Sequence, residues 1–170
     1  RGLGDVYKRQ VYTRSALAEQ TTPAALALTD AISSVSNVVF VDKDLDGTEL
    51  GGLVTWAAPG DVTHVTYYVV YLATSSSGTG KSHVQGDLGV GTNQLSMLAD
   101  TPLGSNTHLV VYTKSSLVEQ TTPVFFKLSD VVSYVSNVTF PDHDLDITDL
   151  GGTMIWTAPG DIAEVTHYVV

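Results

Sequence analysis

The chain has 170 residues, a formal net charge of −10 and no cysteine. Nucleic acid and anionic membrane surfaces attract positive charge, so an acidic chain is a poor match for either. Without thiols there is no disulfide framework, no thiolate catalysis and no cysteine-ligated zinc or iron–sulfur site. No apolar run approaches the ~18 residues of a membrane helix, so no membrane insertion is expected within this stretch.

Arg1 to Gln10 reads RGLGDVYKRQ. It resembles a stretch derived from sequencing-adapter sequence at the ends of translated transcript assemblies, and residues 1–10 are expected to be unstructured. From Val11 onward the chain repeats itself. Residues 11–70 set against 111–170 match at 36 of 60 positions without a gap, a period of 100. A faithfully recurring unit is the mark of a modular array.

Short β-branched runs separated by Gly, Pro, Asp and Ser clusters predict an all-β chain, an antiparallel sandwich. Strands are expected at Val35–Phe40, Leu53–Trp56, Val65–Ala73, Lys81–Gln85 (weakly), Gln94–Leu98, Thr107–Thr113 and Thr121–Leu128. Residues 32–131 then hold one complete repeat. Residues 11–31 correspond to the last strands of a preceding repeat, and 132–170 to the first strands of a following, truncated one. Alternation along Val65–Ala73 puts Tyr68, Val70 and Leu72 on one face and Tyr67, Val69 and Tyr71 on the other. Tyr67 becomes His167 in the second copy while Tyr68 stays Tyr168, so Tyr68, Val70 and Leu72 are placed inward with Trp56.

The run VTWAAPGDVTHVTYYVVYLA, residues 54–73, has Trp on the second strand, Pro after it and a Tyr-x-Val pair on the third. With Val111-Tyr112-Thr113-Lys114-Ser115 it resembles the fibronectin type III module over residues 35–131, as in tandem units of very large surface proteins of marine unicellular eukaryotes. The resemblance implies an immunoglobulin-like two-sheet sandwich at a cell surface or outside the cell. Two features depart from the family pattern. Strand Thr107–Thr113 has no tyrosine at the usual corner position, and the connection after Phe40 is long and acidic.

That connection reads Asp42-Lys43-Asp44-Leu45-Asp46-Gly47-Thr48-Glu49, and again Asp142-His143-Asp144-Leu145-Asp146-Ile147-Thr148-Asp149. Calcium takes six to eight oxygens in flexible geometry, which alternating carboxylates supply. Asp42, Asp44, Asp46, Glu49, Asp142, Asp144, Asp146 and Asp149 are therefore the candidate metal ligands, with calcium the only cofactor suggested. This is no EF-hand: position twelve is Leu53, and Ile147 replaces the glycine in the second copy. The plain alternative is a solvated turn whose Asp side chains accept local backbone N–H groups.

Gly78-Thr79-Gly80-Lys81-Ser82 lacks the first glycine of a phosphate loop, because Ser75 stands there, and strand-like sequence follows it. The histidines at 64, 83, 108, 143 and 167 do not pair at metal-binding spacing. No G-x-S-x-G elbow is present, so no catalytic residues are assigned and an enzyme is not expected. Asn137-Val138-Thr139 is a glycosylation sequon, usable if the protein is secreted. The expected role is a structural or adhesive repeat, extracellular or at a cell surface, with calcium stiffening the acidic connection. Its partners would be neighbouring repeats, other surface proteins or glycans. The alternative is a carbohydrate- or other ligand-binding accessory module of a larger enzyme, with Tyr67 and Tyr71 as a stacking platform.

Overall fold

A computed structural model of the chain describes residues 7–170. Those residues hold twelve β-strands and no helix, and every pairing between strands is antiparallel. Contacts divide the chain after Ile32 into two units.

In the first unit β1 (Tyr7–Val11) pairs with β2 (Ala24–Leu28) as a hairpin, Val11 opposite Ala24. Ser15 Oγ accepts the amides of Leu17 and Ala18 and closes the turn between them. Residues 7–10, expected to lie outside the fold, supply most of β1. Residues 1–6, the remainder of the adapter-like stretch, lie outside the described residues.

The second unit holds a two-sheet arrangement between residues 36 and 127. One sheet has the order β3–β4–β8, from Ser36–Phe40, Glu49–Ala57 and Gln94–Pro102. The other runs β10 (Val124–Lys127), β9 (His108–Lys114), β5 (Tyr67–Ala73), β6 (Ser82–His83), with β7 (Leu88–Gly89) also pairing with β5. Trp56 and Met97 from the first sheet and Tyr68, Val70, Leu109 and Val111 from the second meet in one core. The Trp56 and Tyr68 rings stack edge to face, 5.6 Å apart, a geometry the ring quadrupoles favour.

The expected strand positions hold, with β4 and β8 longer than their apolar runs suggested. The expected outer face of β5 does not hold. Val69 and Tyr71 are as buried as the inward residues, forming a second cluster with Ala73, Val110 and Tyr112. The loop after β5 folds back over this face. Gly78, at φ 82, lies so close to the Tyr112 hydroxyl that a Cβ there would collide with it. Strict alternation assumes one face in water, and the loop removes that water.

Beyond residue 131 the second unit continues as β11 (Ser136–Thr139) paired with β12 (Ile155–Thr157). These repeat β3 and β4 in detail. Asn37 and Asn137 both adopt positive φ, 50° and 51°, where each strand bulges. Asn tolerates this conformation better than most residues. Trp156 meets Tyr168 edge to face at 5.5 Å, as Trp56 meets Tyr68. The expected strand at 165–170 does not form: it is the counterpart of β5, and no counterpart of β9 pairs with it within this unit.

Candidate functional site

The acidic connection between β3 and β4 is a corner built by carboxylates on backbone amides. Asp42 is buried. Its Oδ1 accepts the Gly51 amide at 2.9 Å and the Asp44 amide at 3.2 Å, and its Oδ2 accepts Val131 N–H at 3.1 Å. The Lys43 amide donates to the Gly51 carbonyl at 2.7 Å and ties the corner to β4. Gly52 is required at the exit: its φ is 147°, and a Cβ there would run into the Val41 carbonyl oxygen.

Asp44, nearly buried, accepts the Asp46 amide on Oδ1 at 3.2 Å and the Asp100 amide on Oδ2 at 2.7 Å. The second bond crosses to β8, where the β4–β8 register slips between Leu50 and Gly52 and Asp100 sits at φ 59. Such bulges re-aim side chains. Here the bulge brings Asp100 to Asp44, Asp46 and Glu49, one oxygen from each of the four lying within 4.8 Å of the others. Partial burial, then the charges of Asp100, Asp44 and Asp46, raise the Glu49 carboxyl above its ordinary value. Four converging carboxylates are the donor chemistry that calcium takes.

Of the expected ligands in the first copy, Asp44, Asp46 and Glu49 come together; Asp42 is not among the four gathered carboxylates, its oxygens instead holding the amides of Asp44, Gly51 and Val131. Asp100 was not foreseen: it lies 51 residues beyond Glu49, and only the sheet register reveals it. In the second copy Asp142 repeats the corner, accepting the Gly151 amide at 2.9 Å and the Asp144 amide at 3.0 Å. Asp142, Asp144, Asp146 and Asp149 do not gather into a metal-sized cluster among the described residues.

The corner also holds the segment that follows β10. Besides Val131 on Asp42, the Thr48 amide donates to Asp130 Oδ2 at 2.8 Å and the Ser133 amide to the Leu45 carbonyl at 3.0 Å. Ser133 Oγ in turn donates to the Asp161 carbonyl at 2.5 Å, as Ser33 does to Asp61. Leu45, between Asp44 and Asp46, is half-buried at the rim of an open groove of about 320 Å³ lined by Val138, Met154, Trp156 and Tyr168. Its twin Leu145 is 96% exposed.

The remaining candidates fall elsewhere. The expected stacking platform is not present: Tyr67 is 40% exposed but Tyr71 only 6%. Tyr71 donates to Glu119 at 2.7 Å and lies under the Lys81 ammonium, which is 4.4 Å from its ring and 2.5 Å from Glu119. Lys81, in the loop that resembled a phosphate cradle, is thus engaged by Glu119 and two tyrosine rings. That loop is a turn joining β5 to β6, closed by the Thr74 amide on the Thr79 carbonyl at 2.9 Å. Asn137 is exposed on β11, its Nδ2 donating to Thr157 Oγ1 at 3.3 Å. No family model matches the chain, and neither does any curated protein or solved structure.

Proposed function

We propose that this chain is a non-catalytic structural or adhesive repeat module, a fibronectin type III-like sandwich within a tandem array of a large extracellular or cell-surface protein. The observation that carries the reading is the clamp on residues 130–133. A spacer must transmit its orientation to its neighbour, and a linker of four residues tied by Asp42, Thr48 and Leu45 on one side and by the Asp161 carbonyl on the other has little freedom to swing. Strand order adds support. With β3, β4 and β8 in one sheet and β10, β9 and β5 in the other, the order fits the A-B-E and G-F-C sets of an immunoglobulin-like sandwich. The 100-residue period, with the same corner and Trp–Tyr pair in both copies, supports the array.

Calcium belongs to the reading as a stiffening ion at Asp44, Asp46, Glu49 and Asp100, where it would offset carboxylate repulsion beside the clamp. Asp42 has a different role, as a fixed part of the corner. The rival reading, a carbohydrate-binding module, is weakened by the burial of Tyr71, since sugar stacking needs exposed ring faces. A glycan array probed with the wild-type chain and with Tyr67→Ala separates the two. The structural reading expects no binding that depends on Tyr67. Binding lost in the variant would overturn it in favour of the rival.

A further inference from the structure

The chain has four asparagines, and Asn137 alone stands two residues before a Ser or Thr. The fold gives this sequon a defined presentation. Its template is β3 of the complete sandwich, Ser36–Phe40, which β11 repeats. Val38 there is 8% exposed and belongs to the core. Asn37 and Val39, on either side of it, are exposed. The same alternation turns Asn137 and Thr139 outward together, with Val138 as the counterpart of the inward residue.

The two copies show the site with different neighbours, and it is open in both. Asn37 is exposed with both sheets of its sandwich assembled around it. Asn137 is exposed with the corner of the sandwich before it in place and Ser133 tied to Leu45. β3 is also an outer strand of its sheet, so the acceptor lies at a rim. Asn137 Nδ2 donates to Thr157 Oγ1 at 3.3 Å, and an amide nitrogen of this kind carries two hydrogens. Replacing the other hydrogen leaves the bond to Thr157 intact.

We propose that Asn137 carries an N-linked oligosaccharide on the outer rim of the repeat that follows the complete sandwich. The inference rests on the extracellular reading in one respect, because the donor, a lipid-linked oligosaccharyl pyrophosphate, is met on the secretory route. In the transfer Asn137 Nδ2 bonds to the anomeric carbon of the donor's first sugar. The bond from that carbon to the pyrophosphate oxygen breaks. The lipid pyrophosphate leaves with the electron pair, and Nδ2 gives up one proton. A bulky, hydrated group at this rim blocks the addition of a foreign strand. It also distinguishes two otherwise similar copies, since Asn37-Val38-Val39 ends without a hydroxyl.

The test is the full chain expressed in a eukaryotic cell behind a heterologous secretion leader, with the intact mass of the secreted protein measured. One glycan is expected, released by peptide N-glycosidase with deamidation at residue 137 as its trace. It should vanish in Asn137→Gln and in Thr139→Val, the second of which installs only the side chain that the first copy carries at the matching place. Val39→Thr should add a second glycan at Asn37 with tryptophan fluorescence unchanged. A secreted wild-type chain of unmodified mass would overturn the proposal. So would Val39→Thr glycosylated at Asn137 and bare at Asn37, because the acceptor would then be an unfolded strand and not the rim of a repeat. Both results leave the extracellular reading standing, since the leader supplies the route. That reading fails separately, if fractionation of the cells that make the protein finds it in the cytosol, where it meets no donor.

Discussion

The two acidic corners, residues 42–52 and 142–152, carry nearly the same residues and the same local hydrogen bonds, yet differ in what they hold. The first has β8 behind it and the chain of residues 130–133 across it. The second has neither. Asp42 and Asp142 each accept the amide nine residues on, at 2.9 Å in both. Only Asp42 also accepts an amide from outside the corner, that of Val131. Local sequence is enough to form the turn. The metal-sized cluster and the clamp arise only where non-local strands arrive.

The tryptophans give the largest test of that difference. Trp56→Ala opens a cavity between two sheets and should cost about 3–5 kcal/mol, enough to threaten folding. Trp156→Ala, on the open groove, should cost less than about 1.5 kcal/mol, because surrounding side chains are already in water. Denaturant unfolding followed by far-ultraviolet circular dichroism measures both. Equal losses would break the comparison and mean that the face of residues 135–170 is covered in solution.

A smaller difference is expected between the aspartates. Asp42→Ala leaves the buried Gly51 amide and the half-buried Val131 amide without their acceptor, a loss of about 1–3 kcal/mol for such groups. Asp142→Ala exposes its amides to water and should fall within about 0.5 kcal/mol of wild type. Hydrogen exchange sharpens the test: the Val131 amide should lose protection in Asp42→Ala and keep it in Asp142→Ala.

The smallest effect concerns Glu49. Burial and three neighbouring carboxylates raise its folded-state value above the ordinary 4.5. The folded chain therefore holds this proton more tightly than the unfolded chain, and stability is lost as pH rises from about that ordinary value through the raised one. Glu49→Gln should leave Tm unchanged at pH values where both forms are protonated, and raise it slightly at pH 7. Millimolar calcium should raise the wild-type Tm at pH 7, and chelator should reverse the rise. The rise should shrink in Glu49→Gln and in Asp100→Asn. A Tm indifferent to calcium removes the ion from the reading, and an equal rise with magnesium reduces it to general screening.

The strands were largely legible because β-branched runs and Pro-Gly turns act locally. VSNVVF and its twin VSNVTF announce β3 and β11, although the bulge at Asn37 and Asn137 could be seen only in backbone angles. Tyr71 was misplaced because alternation says which residues share a face and nothing about what covers it. The ligand set was half legible. Spacing picked out the acidic corner, but Asp42 and Asp44 are the same residue type two positions apart, and only their partners separate the corner's anchor from a cluster member. Asp100 carried no local signal, since ADTP is an unremarkable acidic turn until the register with β4 brings it across.

The clamp at residues 130–133 has a consequence of scale. A flexible linker lets successive units forget their direction, so the span of an array grows as the square root of the number of units. Here the amides of Val131 and Ser133 and the Ser133 hydroxyl are committed on both sides, to Asp42 and Leu45 before them and to Asp161 after them. In a chain built of many such units direction is inherited from one to the next, and reach grows nearly in proportion to their number. In such an array the buried Asp42 carboxylate, together with the bonds to Leu45 and Asp161, would set how straight the chain can run.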